Sequence, residues 1–236
     1  MTGLAAEARV AAGPGVEVIS GGGSAIRLEA ALNRAVAGNI SAIISFGIAG
    51  GLAPKLPPGR ALVARMIITE SGEFFESNRA WSQRLSANLG EVPIVDIVGV
   101  DVPVTDQDKK RALYLNTGAS AVDMESHVAA RIAHAHRLPF AAVRVIADPA
   151  ERHLPHAAVV GMGPDGNFAL GALLRSLLRE PRQLPQLART ALDAGAAFAG
   201  LLRSRKLIAG GLGFGDFGEL LLDVPREDVI CGPLLV

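Results

Sequence analysis

Short apolar runs, many of them rich in β-branched residues, alternate along this chain with segments in which apolar residues recur at helical spacing. The apolar runs predict buried strands, and they cover residues 16–19, 40–46, 61–69, 93–100 and 140–147. The helical spacing predicts helices, and these cover residues 26–36, 106–116, 124–138, 170–178 and 184–202. Such alternation predicts an α/β fold, with helices on both faces of one sheet.

One domain is expected to contain almost all of these elements. The chain has 236 residues, of which 50% are apolar and 19% are charged, and this is enough for one sizeable core. The sequence contains no recognisable linker, so we expect a single domain over residues 1–206. Glycines at 210–215 end the periodicity, and residues 207–236 are therefore predicted to form an irregular tail.

The charge pattern and the cysteine content exclude several classes of protein. Lysine and arginine balance the acidic residues, and no basic run is interleaved with aromatics, so we expect no nucleic-acid partner. Cys231 is the only cysteine, which excludes an intrachain disulfide and favours a reducing, cytoplasmic compartment. Glu7 and Arg9 interrupt the region where a secretory signal needs an apolar run. A contact with a membrane surface stays open.

Two turns are rich in glycine. Gly21 and Gly23 match the first two positions of a dinucleotide-binding fingerprint, but Ile26 occupies the third, where that fingerprint needs glycine. A tight turn explains residues 21–23 about as well as ligand binding does. For the turn at 47–51, which follows a predicted strand, we favour binding of a ligand by free backbone N–H groups.

Three acidic residues form a candidate catalytic set. Asp123 and Glu125 lie two residues apart at the start of a predicted helix, and Asp148 follows the most apolar strand. Helix capping, or a turn before Pro149, explains each acid taken alone. As a set they predict one pocket, in which desolvation raises the pKa of one carboxyl group and suits it to general acid catalysis.

Three motifs resemble those of the purine nucleoside phosphorylase and uridine phosphorylase superfamily, which includes nucleosidases of methylthioadenosine and adenosylhomocysteine. They are the turn at 47–52, the stretch at 122–125 with the sequence Val-Asp-Met-Glu, and the strand end at 144–148 with the sequence Arg-Val-Ile-Ala-Asp. Residues 3–9, 45–52, 101–104 and 123–127 look most like the hopanoid-associated phosphorylase, which is thought to remove adenine from adenosylhopane. The resemblance implies a three-layer α/β/α fold around a central mixed, twisted sheet.

The resemblance also implies a role for each matching residue. Glu125 is expected to bind the ribose hydroxyls, and Met124 is expected to pack under the sugar. Asp148 is expected to protonate the departing purine, and Arg144 to hold this region in place. The other residues implied for the nucleoside site are Asp123, Gly47, Ala49, Gly50 and Pro103. Those implied for the side of the phosphate or nucleophile are Arg9, Glu7, Ser20 and Gly21.

Several positions depart from the family pattern. Ile48 stands where the family has a phosphate-binding serine, and Ser45 stands where bacterial purine phosphorylases have an arginine. Ala147 replaces the serine before the catalytic aspartate, and Pro103 replaces the phenylalanine that nucleosidases stack on adenine. We therefore expect an unusual phosphate site and base pocket. The family also has an apolar strand before the loop that begins here at Gly3, so we expect either a sheet that is one strand short or an internal start site.

The expected reaction is phosphorolytic release of adenine from adenosylhopane, with inorganic phosphate as co-substrate and with no cofactor or metal. Hydrolytic cleavage of methylthioadenosine or adenosylhomocysteine is the alternative, and a non-catalytic nucleoside-binding relative is another. The family implies a homo-oligomer. Phe74, Phe75 and residues 210–215 are the candidate lining for a hydrophobic 5′ group. His127 is expected to be exposed on a helix.

Overall fold

The structure is a computed structural model that describes residues 1–38, 40–153, 184–208 and 210–215. Its helices are α1 (Ala5–Ala11), α2 (Ala25–Ala37), α3 (Arg79–Asn88), α4 (Gln107–Thr117), α5 (Ser126–Ala135) and α6 (Leu184–Leu207). Its strands are β1 (Ile43–Gly51), β2 (Ala61–Thr69), β3 (Phe74–Glu76), β4 (Ile94–Gly99), β5 (Ala121–Asp123) and β6 (Phe140–Asp148). These elements confirm the predicted α/β class.

All six of the described strands belong to one mixed sheet, in the order β3-β2-β4-β5-β1-β6. β1 is parallel to β6, and β4 is parallel to both β2 and β5. β5 is antiparallel to β1, and β2 is antiparallel to both β3 and β6. Because β2 pairs with β6 as well as with β4, the sheet closes on itself. The predicted central mixed sheet is thereby confirmed.

Two hydrophobic clusters cover the two faces of the sheet. Helices α2 and α5 pack over one face, where Leu32 and Ile132 meet Ile43 of β1. Helices α1, α3 and α6 cover the other face, where Leu201 meets Phe46. Because successive strand residues point to opposite faces, a strand buried on both sides must be apolar throughout. This explains the continuous apolar run that becomes β6.

The N-terminal residues lie beside β1. The N–H of Phe46 donates to the carbonyl of Met1 at 3.0 Å, and the N–H of Thr2 donates to the carbonyl of Ile19 at 2.9 Å. The predicted strand at 16–19 therefore pairs with this segment and is not one of the six strands of the sheet, which corrects the prediction. The segment ends at Gly3, which lies next to the candidate site described below.

Several short elements were not predicted. Strands β3 and β5 have three residues each and helix α1 has seven, so they are too short to show a clear period. Helix α3 was also missed. The helix predicted at 170–178 lies outside the described residues, whereas α6 confirms the helix predicted at 184–202.

The first residues of the predicted tail pack against the core. Ile208 and Leu212 are buried, and the indole N–H of Trp81 in α3 donates to the carbonyl of Leu212 at 3.1 Å. The ring of Phe214 lies 4.8 Å from that of Trp81. Across the part of the chain that the structure describes, no helix has the length and apolar content to span a membrane.

Candidate active site

The three predicted motifs meet where β1, β5 and β6 lie side by side. Gly50 of β1 pairs with Val122 of β5 on one side and with Asp148 of β6 on the other. Gly47, three residues earlier, pairs with Arg144. The strand register therefore places the glycine-rich end of β1 between the two acidic motifs that the sequence analysis identified.

Arg144 forms a buried ion pair at the centre of this region. Its Nε donates to Oδ2 of Asp123 at 2.6 Å, and its Nη2 donates to the hydroxyl of Ser45. The side chains of Arg144 and Asp123 are each only 1% exposed. Burial opposes ionisation of Asp123, but the neighbouring guanidinium lowers the pKa of this carboxyl group. Removing either partner would leave a buried charge without its counter-charge.

The second oxygen of Asp123 fixes the start of α5. Oδ1 accepts hydrogen bonds from the N–H groups of Glu125 at 2.9 Å and of Ser126 at 2.7 Å. Such bonds satisfy the free N–H groups that every helix has at its first turn. Both oxygens of Asp123 are thus occupied by the protein itself. The residue holds Arg144 in place and sets the position of Glu125.

Glu125 places its carboxyl group against the N-terminal segment. A Cβ atom added to Gly3 would lie only 2.7 Å from Cδ of Glu125, so glycine is needed for this approach. Burial, and then the charge of Asp123, raise the pKa of Glu125 to about 8. At neutral pH the group is therefore mostly protonated, and it can both donate and accept a hydrogen bond. Such a group can bind a pair of sugar hydroxyl groups, each of which also donates and accepts.

Glu7 lies beside Gly47 and is buried, with 3% of its surface exposed. Its Oε2 accepts the N–H groups of Gly3 at 2.9 Å and Leu4 at 2.7 Å, and its Oε1 accepts that of Ile48 at 2.8 Å. These bonds use three of the four acceptor positions of a carboxylate. A Cβ atom added to Gly47 would lie 2.6 Å from Oε1. Burial raises the pKa of Glu7 although the backbone donors oppose that rise.

Asp148 ends β6 directly above Gly50. A Cβ atom added to Gly50 would lie 3.3 Å from Oδ2 of Asp148, so this glycine also makes room for a carboxyl group. The ammonium group of Lys110, from α4, forms an ion pair with the same oxygen. Burial raises the pKa of Asp148, while Lys110 opposes the rise.

Four of the other predicted residues support this region. Met124 is half-buried beside a small hydrophobic cluster, and Ala49 is buried in β1. The hydroxyl of Ser20 donates to the carbonyl of Gly3 at 3.3 Å. The N–H of Gly21 donates to the carbonyl of Thr2 at 3.0 Å. Ser20 and Gly21 therefore hold the segment against which Glu125 lies.

The remaining two predicted residues are exposed. Arg9 follows Glu7 by two positions on α1, which turns its side chain roughly 200° away from that of Glu7. Pro103 is exposed in the segment after β4. The structure therefore does not bring Arg9 or Pro103 together with the buried acids.

The prediction that His127 is exposed was wrong. The residue is 5% exposed, and its Nε2 lies 3.1 Å from Oδ1 of Asp101. A Cβ atom added to Gly99 of β4 would lie 2.6 Å from Nδ1 of His127. The ring is therefore buried because it packs directly on the backbone of β4, which has no side chain at this point.

The predicted apolar channel is not assembled by the residues proposed for it. Phe75 packs with the cluster under α2 and α5, where its ring lies 5.6 Å from that of His134. Phe74 is 68% exposed. Phe214 belongs to the cluster under α1, α3 and α6. Phe75 and the glycine-rich segment therefore pack in different hydrophobic clusters, and Phe74 is exposed.

Two polar residues of the site were missed by sequence analysis. Residues 106–116 were interpreted as a polar surface helix, yet Lys110 within it is fully buried. Lys110 lies three residues before Leu113 and four residues before Tyr114, and both of these pack against a hydrophobic cluster. This spacing is the signal in the sequence that places Lys110 on the inward side of α4. Ser45 is the one hydroxyl in an otherwise apolar run, and it binds Arg144.

The arrangement is suited to breaking a bond with a charged transition state. Asp148 is a partly buried acid whose raised pKa favours its protonated form, and Glu7 is buried with one acceptor position left. Glu125 lies between the charge of Asp123 and the N-terminal segment. Together they offer a proton donor, a proton acceptor and a group that binds hydroxyls.

Comparison with known proteins gives a family match and several solved structures of the same fold. The family profile described as Phosphorylase superfamily matches residues 4–179, about three quarters of the chain. No curated protein matches the chain significantly.

The structural similarities are those of distant relatives. The native futalosine hydrolase of Helicobacter pylori strain 26695 is 17% identical with a TM-score of 0.51, over 77% of this chain and 74% of that chain. The 5′-methylthioadenosine/S-adenosyl homocysteine nucleosidase of Helicobacter pylori is 16% identical with a TM-score of 0.54, over 77% and 72%. A mutant of the futalosine hydrolase is 22% identical with a TM-score of 0.48, over 52% of this chain and 65% of that chain. This chain thus spans slightly less than two thirds of that mutant's length.

Proposed function

The chain belongs to the phosphorylase superfamily, and we propose that it cleaves the N-glycosidic bond of a purine nucleoside. One observation carries the proposal: three acidic side chains each lie against a glycine around one end of β1. Glu7 lies against Gly47, Asp148 against Gly50, and Glu125 against Gly3. Glycine brings the carboxyl groups close to the backbone and so leaves space above them for a ligand.

In this proposal Asp148 is the general acid. The bond between sugar and base breaks with positive charge on the sugar and negative charge on the base, and a proton delivered to the base stabilises the departing group. Burial raises the pKa of Asp148, and this favours the protonated form that a general acid needs. Glu125 holds the ribose hydroxyls, and its position is set by Asp123 and Arg144.

We propose water as the nucleophile, although the sequence favours phosphate. Arg9, the residue expected to bind phosphate, is exposed on the opposite side of α1 from the buried Glu7. Arg9 is thus not placed to supply the positive charge that would stabilise a phosphate dianion beside Glu7. Water is neutral, and the remaining acceptor position of Glu7 can take its proton.

The resemblance to the hopanoid-associated branch further implies adenosylhopane as substrate. That substrate needs an apolar channel, but Phe75 and the glycine-rich segment expected to form it pack in different hydrophobic clusters, and Phe74 is exposed. We therefore propose a hydrolytic nucleosidase that acts on a small adenine nucleoside. Phosphorolysis of an adenosyl compound with a long apolar group is the competing outcome of the test. The homo-oligomer and the cytoplasmic location stay predictions.

The test is release of free base by the purified chain from adenosine, methylthioadenosine, adenosylhomocysteine and a long-chain alkyl adenosine. Adenine is separated by chromatography after incubation with and without inorganic phosphate. Adenine release from the small nucleosides without phosphate supports the proposal. Release that requires phosphate and rises with the apolar 5′ group would establish the competing outcome. Binding of nucleoside in calorimetry with no release of base from any substrate would identify a non-catalytic relative.

A further inference from the structure

Lys110 occupies a position that the reaction proposed above does not yet explain. Its side chain is fully buried, although a buried lysine is stable only when its charge and its three donors are satisfied. The ammonium donates to Oδ2 of Asp148, to the carbonyl of Pro149 at 3.0 Å and to the carbonyl of Arg152 at 3.2 Å. All three N–H groups therefore have acceptors, and all three acceptors belong to the end of β6 and the turn after it.

This pattern distinguishes the two oxygens of Asp148. An oxygen that accepts a hydrogen bond from an ammonium group is the unprotonated oxygen of a carboxylic acid, because a hydroxyl proton there would face the ammonium protons. Oδ2 is bound in this way, so the acid proton belongs on Oδ1. Oδ1 lies 3.4 Å from the position that a Cβ atom of Gly50 would occupy.

We propose that Lys110 is the positioning residue of the general acid: it binds Oδ2 of Asp148 and so presents Oδ1 and its proton to the departing base. The inference rests on the proposed function. In the step itself, the proton moves from Oδ1 to a ring nitrogen of the base, and the electrons of the C–N bond go to the base. Lys110 keeps its three protons throughout and stabilises the carboxylate that the step leaves on Asp148.

The other charged groups near this position are already paired elsewhere. Glu151 accepts the backbone N–H of Lys55 at 2.9 Å, and Arg152 forms an ion pair with Asp193 of α6. On α4 itself, Asp106 lies 3.7 Å from the ring of His153. Among the described residues, Lys110 is thus the cation that acts directly on Asp148.

The turn after Asp148 is also held from several sides. The side-chain amide of Gln107 donates to the carbonyl of Glu151, and the N–H of Arg152 donates to the carbonyl of Pro149 at 3.1 Å. The first contact joins the turn to α4 independently of Lys110, and the second lies within the turn itself. A change at Lys110 is therefore expected to alter the acid without releasing the turn.

The test compares three variants by the pH dependence of kcat and KM for base release. In Lys110→Gln we expect kcat to fall about tenfold or more with little change in KM, since the acid loses its orientation. The alkaline limb of the profile should move up by about one pH unit or more, because the cation that lowered the pKa of Asp148 is gone. Lys110→Arg should keep the limb where it is, because the charge is retained. Lys109→Gln, at the exposed neighbouring position, is the control and should behave as wild type.

Thermal unfolding between pH 5 and pH 8.5 gives a second measurement that needs no activity. The pKa of Asp148 is already raised in the folded protein, so this group stabilises the fold at low pH and that stabilisation is lost as the pH rises through the folded pKa. Without Lys110 the loss should be larger, so the Tm of Lys110→Gln should fall more steeply with pH than that of wild type.

The outcomes separate this inference from the proposed function. A wild-type chain that releases no base refutes the function, and the unfolding measurement then tests the role of Lys110 alone. If wild type is active but Lys110→Gln has the same alkaline limb in its pH profile of kcat, the inference is wrong. It is also wrong if the two Tm curves run parallel, or if Lys110→Gln is no better folded at pH 5 than at pH 8.5, because low pH favours the protonated Asp148, which needs no counter-charge.

Discussion

Gly50 lies so close beneath Asp148 that a methyl group added to this glycine would sit 3.3 Å from Oδ2 of the carboxyl group. The same methyl group would lie 3.2 Å from Cγ1 of Val122. Gly50 and Asp148 are also partners in the register of β1 and β6, at the point where the pairing shifts by one residue. The backbone of β1 therefore sets the position of the acid, and the absence of a side chain at Gly50 is part of the site.

A methyl group at this position should move the acid. We expect Gly50→Ala to reduce kcat for base release about tenfold or more, because small displacements of a catalytic group are costly. The crowding should also lower the free energy of unfolding by about 1 to 3 kcal/mol. Gly195→Ala in α6 is the matched control, since nothing lies within 4 Å of its added Cβ. That control should be as active as wild type and slightly more stable. Full activity of Gly50→Ala would show that the missing side chain at Gly50 does not position Asp148.

Asp148→Asn should almost abolish the release of base while leaving nucleoside binding largely intact. Loss of a general acid typically reduces the rate about a hundredfold or more, whereas the shape of the pocket is retained. Turnover and calorimetric binding are measured in parallel. Asp108→Asn, an exposed aspartate at the start of α4, serves as the control and should have no effect. Near wild-type turnover by Asp148→Asn would show that another group supplies the proton.

Glu125 should make the stability of the protein depend on pH. Its pKa in the folded state is raised to about 8, above the ordinary value of 4.5. The group therefore contributes stability at low pH, and this contribution is lost as the pH rises from about 4.5 through 8. Urea unfolding should show a free energy that decreases over this window, by at most about 1.4 kcal/mol per pH unit for one group. In Glu125→Gln the decrease should be smaller, and an unchanged slope would mean that Glu125 is ionised in the folded protein.

The buried pair of Arg144 and Asp123 should dominate the stability of the site. Arg144→Met leaves Asp123 buried without a counter-charge, which should cost about 3 to 5 kcal/mol in the free energy of unfolding. Adding Asp123→Asn should restore part of the loss, because the amide oxygen still accepts hydrogen bonds at the start of α5. The surface pair of Arg65 and Asp96 gives the control, and Arg65→Met should cost less than about 1 kcal/mol. If Arg144→Met and Arg65→Met lose the same free energy of unfolding, the buried pair does not dominate the stability of the site.

The strand register explains why part of the site could be predicted from sequence. The glycines at 47 and 50 and the residues at 144 and 148 belong to long apolar strands whose ends are easily recognised. Parallel pairing of β1 and β6 brings Gly47 opposite Arg144, and a one-residue shift after Ala49 then brings Gly50 opposite Asp148. The helix cap formed by Asp123 also agrees with its position two residues before Glu125. These features depend on local pattern and on one pairing.

The residues that were missed depend on packing between distant elements. Lys110 is buried because α4 turns that side of the helix toward the end of β6, and its neighbours in sequence are exposed and charged. His127 is buried because Gly99 leaves space over β4. Phe74 was placed near the substrate although β3 is a short strand that pairs with β2 alone. A single sequence can show which side of a helix faces inward, as Leu113 and Tyr114 do for α4, but it contains no direct signal for what that side contacts.

In the proposed reaction, a water molecule bound beside Glu7 attacks the sugar carbon that carries the base, while Asp148 protonates the departing base. The most direct measurement is base release in H₂¹⁸O, with and without inorganic phosphate, followed by mass spectrometry of the sugar product. Hydrolysis should give free sugar that carries one ¹⁸O atom, formed at a rate that added phosphate does not change. A sugar 1-phosphate without the label, or a reaction that stops when phosphate is omitted, would contradict it.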